Sequence, residues 1–324
     1  MAKSDWDIPA ELQPDPADYS FDLDRVLSAV VGLHATAPAD AFTAQALGTE
    51  REGSGVVIGD DGLLLTMGYL ITEVETVWLT SADGRAIPGH ALAFDGETGF
   101  GLVQPLGRLG LPKLEFGNSS KAALGDEVLF ASAGGRRRAI ETKIVGRQEF
   151  AGYWEYLLDD AIFTAPAHPF WGGGALIGQD GKLLGVGSLI LQQGDAKGRR
   201  HDMNMIVPID CLPPVLEDLR RYGQINRPAR PWLGVYAMED EDSVVIGGLA
   251  DGGPADRAGL RTGDHVLAVE KEEITDLAGL WRSLWACGPA GSRVTLMVQR
   301  DDKRMPVSIP TIDRRTLLKS PRMH

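Results

Sequence analysis

Cysteine is nearly absent: 324 residues contain only Cys211 and Cys287. The two stand far apart, in stretches that read as different domains, which argues against a disulfide framework. Both read as small buried apolar groups. Long apolar runs are missing as well, since stretches such as Ala29 to Leu33 fall far short of the ~20 residues needed to cross a bilayer as a helix. The start, MAKSDWDIPAELQPDPADYS, is acidic and lacks the charged-then-apolar order of a secretory leader. Together these features set the expectation of a cytoplasmic protein with no membrane attachment. Positive charge is in deficit, with 32 Lys and Arg against 45 Asp and Glu and a net charge of -13. Such a field repels nucleic acid and anionic lipid. The only basic runs, Arg136-Arg137-Arg138 and Lys197 to Arg200, lie beside glycines and read as solvated loops. Histidine is sparse too, and His34, His90, His201 and His265 have no carboxylate or cysteine at ligand spacing. Neither a metal nor another cofactor is expected.

What is present is an ordinary globular composition, 44% hydrophobic and 24% charged, on a chain long enough for two or three cores. Short β-rich runs such as SGVVIGDDGLLLTMGYLI, ETVWLTSADGRAIPGHALAFD and DEVLFASAG are broken by turns at Asp60-Asp61-Gly62 and Ala82-Asp83-Gly84. This spacing predicts a sandwich or a pair of barrels. The first long amphipathic helix is IDCLPPVLEDLRRY, where Leu212, Val215, Leu216 and Leu219 keep helical spacing. GQINRPARP then reads as a linker. Beyond it lie a further strand-like run, the stretch GGPADRAGLRTGD, and a helix predicted over Asp276 to Ala286, with Asp276 as N-cap and Gly288 near the stop.

In this order the pieces resemble the HtrA (Deg) family of trypsin-like serine proteases, from about Gly53 to Ile309. GSGVVIGDDGLLLT is similar to the opening of the family's first barrel, and LPKLEFGNSSKAALGDEVLFASAG to the start of the second. FTAPAHPFWGGGAL runs in register with the family's TDAxINPGNSGGPL, and GKLLGVGSLIL and MNMIVPID resemble its closing strands. The resemblance implies a mainly β protein, a trypsin-like double β-barrel followed by an α+β PDZ domain. The expected divisions are an N-terminal extension over 1–25, the double barrel over 26–208, a linking helix and linker over 209–228, the PDZ domain over 229–312 and a tail over 313–324.

Function needs the site rather than the fold. Where the family carries its histidine this chain has Tyr69, where it carries the aspartate Gly99, and where it carries the serine Gly172. Phe170 and Trp171 occupy the oxyanion turn, where the family's glycine lets backbone N–H groups point at the developing charge. Loss of a whole triad removes on the order of 10⁶ in rate from a serine protease. The expectation is therefore a pseudoprotease that acts as a protein-binding scaffold, adaptor or complex subunit. The alternative is an active serine-type endopeptidase with a rearranged site, in which His168 would serve a hydroxyl of Thr164, Ser132 or Ser188. The plainer reading of His168 is a turn-bonding residue in place of the family's loop asparagine, before Pro169.

The PDZ-like segment keeps its working parts. ARPWLGV resembles the family's carboxylate-binding loop, with Trp232, Leu233, Gly234 and Val235 as loop and strand edge. A peptide would add along that edge, and Leu280, Trp281 and Leu284 of the following helix would contact its side chains. The competing reading makes this domain a contact between domains or subunits. A dense aromatic set, Phe150, Tyr153, Trp154, Tyr156, Phe163, Phe170 and Trp171, reads either as packing between barrel and loop or as a partner surface on the barrel. Partners are therefore expected to be proteins, and the segment Asp5 to Leu33, with its amphipathic FDLDRVLSAVVGL, is where the family forms trimers.

Overall fold

Alternation of apolar and polar side chains places the strands, as Thr76–Thr80 shows: Val77 and Leu79 are buried, while Thr76, Trp78 and Thr80 face outward. The structure is a computed structural model that describes residues 8–194, 200–240 and 243–319. Asp5 to Asp7, Lys197 to Arg199 and residues 320–324 lie outside the described residues.

Two compact units divide the chain. The first holds Met1–Gln148, Asp160–Ile225 and Lys319–His324, and the second Glu149–Asp159 and Asn226–Leu318. The first unit opens with α1 (Leu23–Ser28), capped by the Asp22 carboxylate, which accepts from the Arg25 N–H. Six strands then close a barrel: β1 (Val30–Thr36), β2 (Glu50–Val57), β3 (Leu64–Met67), β4 (Thr76–Thr80), β5 (Ala86–Phe94) and β6 (Phe100–Pro105), with α2 (Ala44–Leu47) between β1 and β2. Their hydrogen-bonded order is β1-β2-β3-β6-β5-β4.

A second closed barrel follows, from β7 (Glu127–Ala131), β8 (Ala139–Gly152), β9 (Tyr156–Ala165), β10 (Ala175–Ile177), β11 (Leu183–Gly194) and β12 (Arg200–Pro208), in the order β10-β11-β12-β9-β8-β7. Phe130, Ile140, Ile162, Leu176 and Ile206 fill it, joined by Ile8 from the N-terminal stretch. The helix α3 (Pro213–Tyr222) has Pro at its first turn and ends where Gly223 takes φ +70 and returns its N–H to the Leu219 carbonyl.

The second unit carries β13 (Val235–Asp240), β14 (Ser243–Leu249), α4 (Pro254–Arg257), β15 (His265–Val269), β16 (Glu272–Glu273), α5 (Leu277–Ala286), β17 (Arg293–Arg300) and β18 (Lys303–Pro310). Its sheet runs β13-β14-β15-β17-β18, with β16 paired to β15. The Asp276 carboxylate caps α5 through the Gly279 N–H at 2.6 Å, and Leu277, Ala278, Leu280, Trp281 and Leu284 form its buried face.

Two sequence readings need correction. The stretch 26–208 is interrupted, because 149–159, the β8–β9 turn with the adjoining strand ends, groups with residues 226–318. Arg136 to Arg138 lie in a 3-10 turn with Arg136 and Arg137 exposed; Arg136 pairs with Asp24 and the Arg137 carbonyl accepts from the Ile8 N–H. Cys211 and Cys287 are half-buried thiols rather than core groups.

Candidate functional site

Tyr69, Gly99 and Gly172 come together in the first unit, where a cleft of about 650 Å³ is lined by Glu52, Ser54, Tyr69, Arg138, Phe170 and Gly172 among others. Tyr69 sits in a 3-10 turn directly after β3, and the guanidinium of the buried Arg51 fixes that turn by donating to the Tyr69 carbonyl at 2.9 Å and the Thr72 carbonyl at 2.5 Å. Beside it, the Gly68 N–H donates to the Gly99 carbonyl at 2.7 Å. The phenol of Tyr69 crosses the cleft and donates to the Ser188 carbonyl at 2.9 Å. Burial raises this phenol above its ordinary range. A β-carbon at Gly172 would stand 2.9 Å from the Tyr69 hydroxyl oxygen, so the phenol fills space that a side chain at 172 would need.

The loop after β9 is held by its backbone. Ser54 N–H donates to the Gly172 carbonyl at 2.8 Å, and Gly173 N–H to the Gly187 carbonyl at 2.9 Å. Gly173 has φ +75 and would bring a β-carbon to 1.9 Å from the Ser54 carbonyl oxygen, so no side chain fits there. Phe170, at the oxyanion turn, is 40% exposed and stacks beneath the Arg138 guanidinium at 4.9 Å. Its N–H points to His168 Nδ1 at 3.0 Å. An amide committed in this way does not face the cleft as an oxyanion donor.

His168 is fully buried. With Nδ1 accepting from Phe170, Nε2 carries the proton and donates to the Arg138 carbonyl at 3.1 Å. Its own N–H donates to Asn204 Oδ1 at 2.7 Å, and Asn204 Nδ2 donates back to the His168 carbonyl at 3.0 Å. Burial lowers its pKa to about 4, so the ring is neutral at pH 7. Both ring nitrogens are bonded to backbone groups, and no hydroxyl of Thr164, Ser132 or Ser188 is among their partners.

In the second unit the seven residues read as peptide-binding lie on the loop before β13, at its start and on α5. Trp232, Leu233, Val235, Leu280, Trp281 and Leu284 are buried, and all of these but Trp232 belong to one core cluster together with Leu157. Gly234 takes φ +79, which aligns three successive N–H groups. Those of Leu233, Gly234 and Val235 all donate to the carboxylate of Glu155, at 3.1, 2.7 and 3.1 Å. The Ala237 N–H of β13 donates to the Tyr153 carbonyl at 2.9 Å, and Trp281 Nε1 of α5 to the Gly152 carbonyl at 2.9 Å. Arg282 pairs with Asp159 at 2.6 Å and also with Glu149. Burial raises the Glu155 pKa to about 7, against the three N–H groups and the charge of Arg314.

Two functional residues escaped the sequence reading. Arg51 carries no motif, and Glu155 was visible only as an acid inside the aromatic run. Phe150, Tyr153, Trp154 and Tyr156 pack on one another, with Trp154 and Tyr156 stacked at 5.5 Å, and all four lie where the ends of β8 and β9 and the turn between them group with the second unit. Phe163 is buried, while Phe170 and Trp171 line the cleft.

A family described as the trypsin-like peptidase domain matches residues 53–186, and one described as the PDZ domain matches residues 231–311. The chain is 25% identical over 280 residues to a "Probable periplasmic serine endoprotease DegP-like" of Chlamydia muridarum, covering 80% of this chain and 54% of that one. It is 27% identical over 274 residues to a protein of the same name from Pseudomonas fluorescens, covering 79% and 55%. The chain thus spans about half the length of the curated relatives it matches. Among solved structures, the "HtrA-type protease AlgW with tripeptide" matches with a TM-score of 0.53 at 22% identity, over 95% of this chain and 99% of that one, a likeness of fold. A trypsin-like peptidase domain followed by a PDZ domain, together with the matches to DegP-like proteins, makes this chain a member of the HtrA-like family.

Proposed function

We propose that this chain is a proteolytically inactive HtrA-like protein that works by binding other proteins, as a scaffold, adaptor or complex subunit. The observation that carries the reading is the pairing of Tyr69 with Gly172: the phenol lies within 2.9 Å of the place a serine β-carbon would take, and is held there by the Ser188 carbonyl. Two further features support it. The Phe170 N–H is turned onto His168, and His168 has no free nitrogen with which to accept a proton from a hydroxyl. The PDZ domain supplies the means of binding, through three aligned N–H groups suited to a carboxylate.

The test is a fluorophosphonate probe on the purified chain, alongside hydrolysis of unfolded casein. The expected result is no labelled residue and no cleavage above buffer. Labelling of one serine or threonine, lost in His168→Gln, would replace this reading with that of an active endopeptidase.

A further inference from the structure

We infer that residues 149–159 are a built-in ligand of the PDZ groove, with the Glu155 side chain in the seat of a peptide's terminal carboxylate, and that a partner's C-terminus enters only by displacing it. The second clause rests on the protein-binding reading above.

Three kinds of contact converge on this segment. Its carboxylate takes all three N–H groups of the loop, at distances from 2.7 to 3.2 Å. Its backbone docks on both walls: the Tyr153 carbonyl accepts from β13, and the Gly152 carbonyl from Trp281 on α5. Its apolar side chain Leu157 joins Leu233, Trp281 and Leu284 in the buried cluster. Carboxylate, added backbone and apolar contact are what an extended peptide offers a PDZ groove, and here one stretch of the same chain offers all three.

The backbone of the segment is bent for this purpose. Glu155 has φ +59, in the left-handed region that residues other than glycine rarely adopt. The bend delivers a side-chain carboxylate, in mid-chain, to a loop that in a free peptide would meet a chain end. Such strain persists where the surroundings over-determine it, and the three N–H groups do so here. Arg282, on the outer face of α5, holds Glu149 and Asp159 at the two ends of the segment.

A tethered ligand competes at a high effective concentration, so a dissolved peptide sees a groove that is open only a fraction of the time, and its apparent affinity falls by that fraction. The experiment uses the full chain and, as probe, a fluorescein-labelled synthetic peptide of residues 149–159 added in solution. Anisotropy is read on the wild type, Glu155→Ala, the near-isosteric Glu155→Gln and Arg282→Ala, with circular dichroism to establish that each is folded. The expected result is binding at least about ten-fold tighter to Glu155→Ala than to the wild type, with Glu155→Gln and Arg282→Ala between them. An alanine-rich decapeptide ending in leucine with a free carboxylate should displace the probe, and its amidated twin should not. Equal binding to wild type and Glu155→Ala, or binding to neither, overturns the inference. Tight binding to Glu155→Ala that the free-carboxylate peptide cannot displace leaves the built-in ligand standing and overturns recognition of partner C-termini.

Discussion

Tyr69 and Gly172 form a matched pair if the phenol fills the space of a missing side chain, and a double-mutant cycle measures the match. In Gly172→Ser alone, the new β-carbon meets the Tyr69 oxygen at 2.9 Å, and the phenol must swing off the Ser188 carbonyl. Overpacking and a lost buried hydrogen bond together cost about 1–3 kcal/mol. In Tyr69→Phe alone, only the hydrogen bond is lost, at about 1 kcal/mol. With both changes the closest atom of the ring is the one that carried the hydroxyl, 3.8 Å away, an ordinary contact. The double variant should then cost little more than Tyr69→Phe, leaving a favourable coupling of about 1–2 kcal/mol. A chain of two units need not unfold in one step, so the assay is native-state amide exchange of β11, which reports opening of the second barrel itself. Coupling within about 0.4 kcal/mol of zero would mean the two positions are independent, and the account of the closed cleft would fall with it.

His168 is neutral and buried in the native state with a pKa of about 4, against 6.5 when free. Between those values the unfolded chain binds more protons, so stability falls as pH drops from about 6.5 toward 4, by about 3 kcal/mol in all. Chemical denaturation of the first unit across this range should show that slope, and His168→Asn should flatten it. Glu155 runs the other way: docked, its pKa is about 7, against an ordinary 4.5, with Arg314 the charge that faces it and Glu149 and Asp159 paired to Arg282 at its flanks. The docked segment binds the extra proton, so it holds most firmly at low pH and loosens as pH rises through about 7. Peptide affinity of the wild type should therefore climb from about pH 4.5 to 7 and level off above it, and that of Glu155→Gln should not. Gly173→Ala should cost about 3 kcal/mol or more through its clash with the Ser54 carbonyl, whereas Gly84→Ala, with φ +84 but nothing within 4 Å, should cost only about 1–2 kcal/mol in thermal unfolding.

The strands were legible because alternation and turn chemistry are local. Asp61 folds the turn before β3 by accepting from the Leu63 N–H at 3.2 Å, and Asp276 caps α5, both within three residues. The altered cleft was legible in its identities, since a glycine at 172 carries no hydroxyl in any fold. Its geometry was not, because the Tyr69 to Ser188 bond joins residues 119 positions apart. Glu155 was hidden for the same reason. Within its own stretch it reads as one more acid among aromatics, and only the folded second unit brings Leu233, Gly234 and Val235 to it. Arg51 likewise shows its role only through carbonyls 18 and 21 positions further on.

The shared hairpin also sets a timetable. Gly152 and Trp281, joined by a hydrogen bond, are separated by 129 residues of chain. At a synthesis rate of about 5–20 residues per second, the segment leaves the ribosome roughly 6–26 s before the helix it will bond to exists. For that interval Leu157, which the finished core buries with Leu233, Trp281 and Leu284, has no cluster to join and lies bare beside Phe150, Tyr153, Trp154 and Tyr156, a sticky apolar loop on a partly made chain. A chaperone that holds nascent chains has its target there, and a chain broken off before residue 226 would keep that target for good.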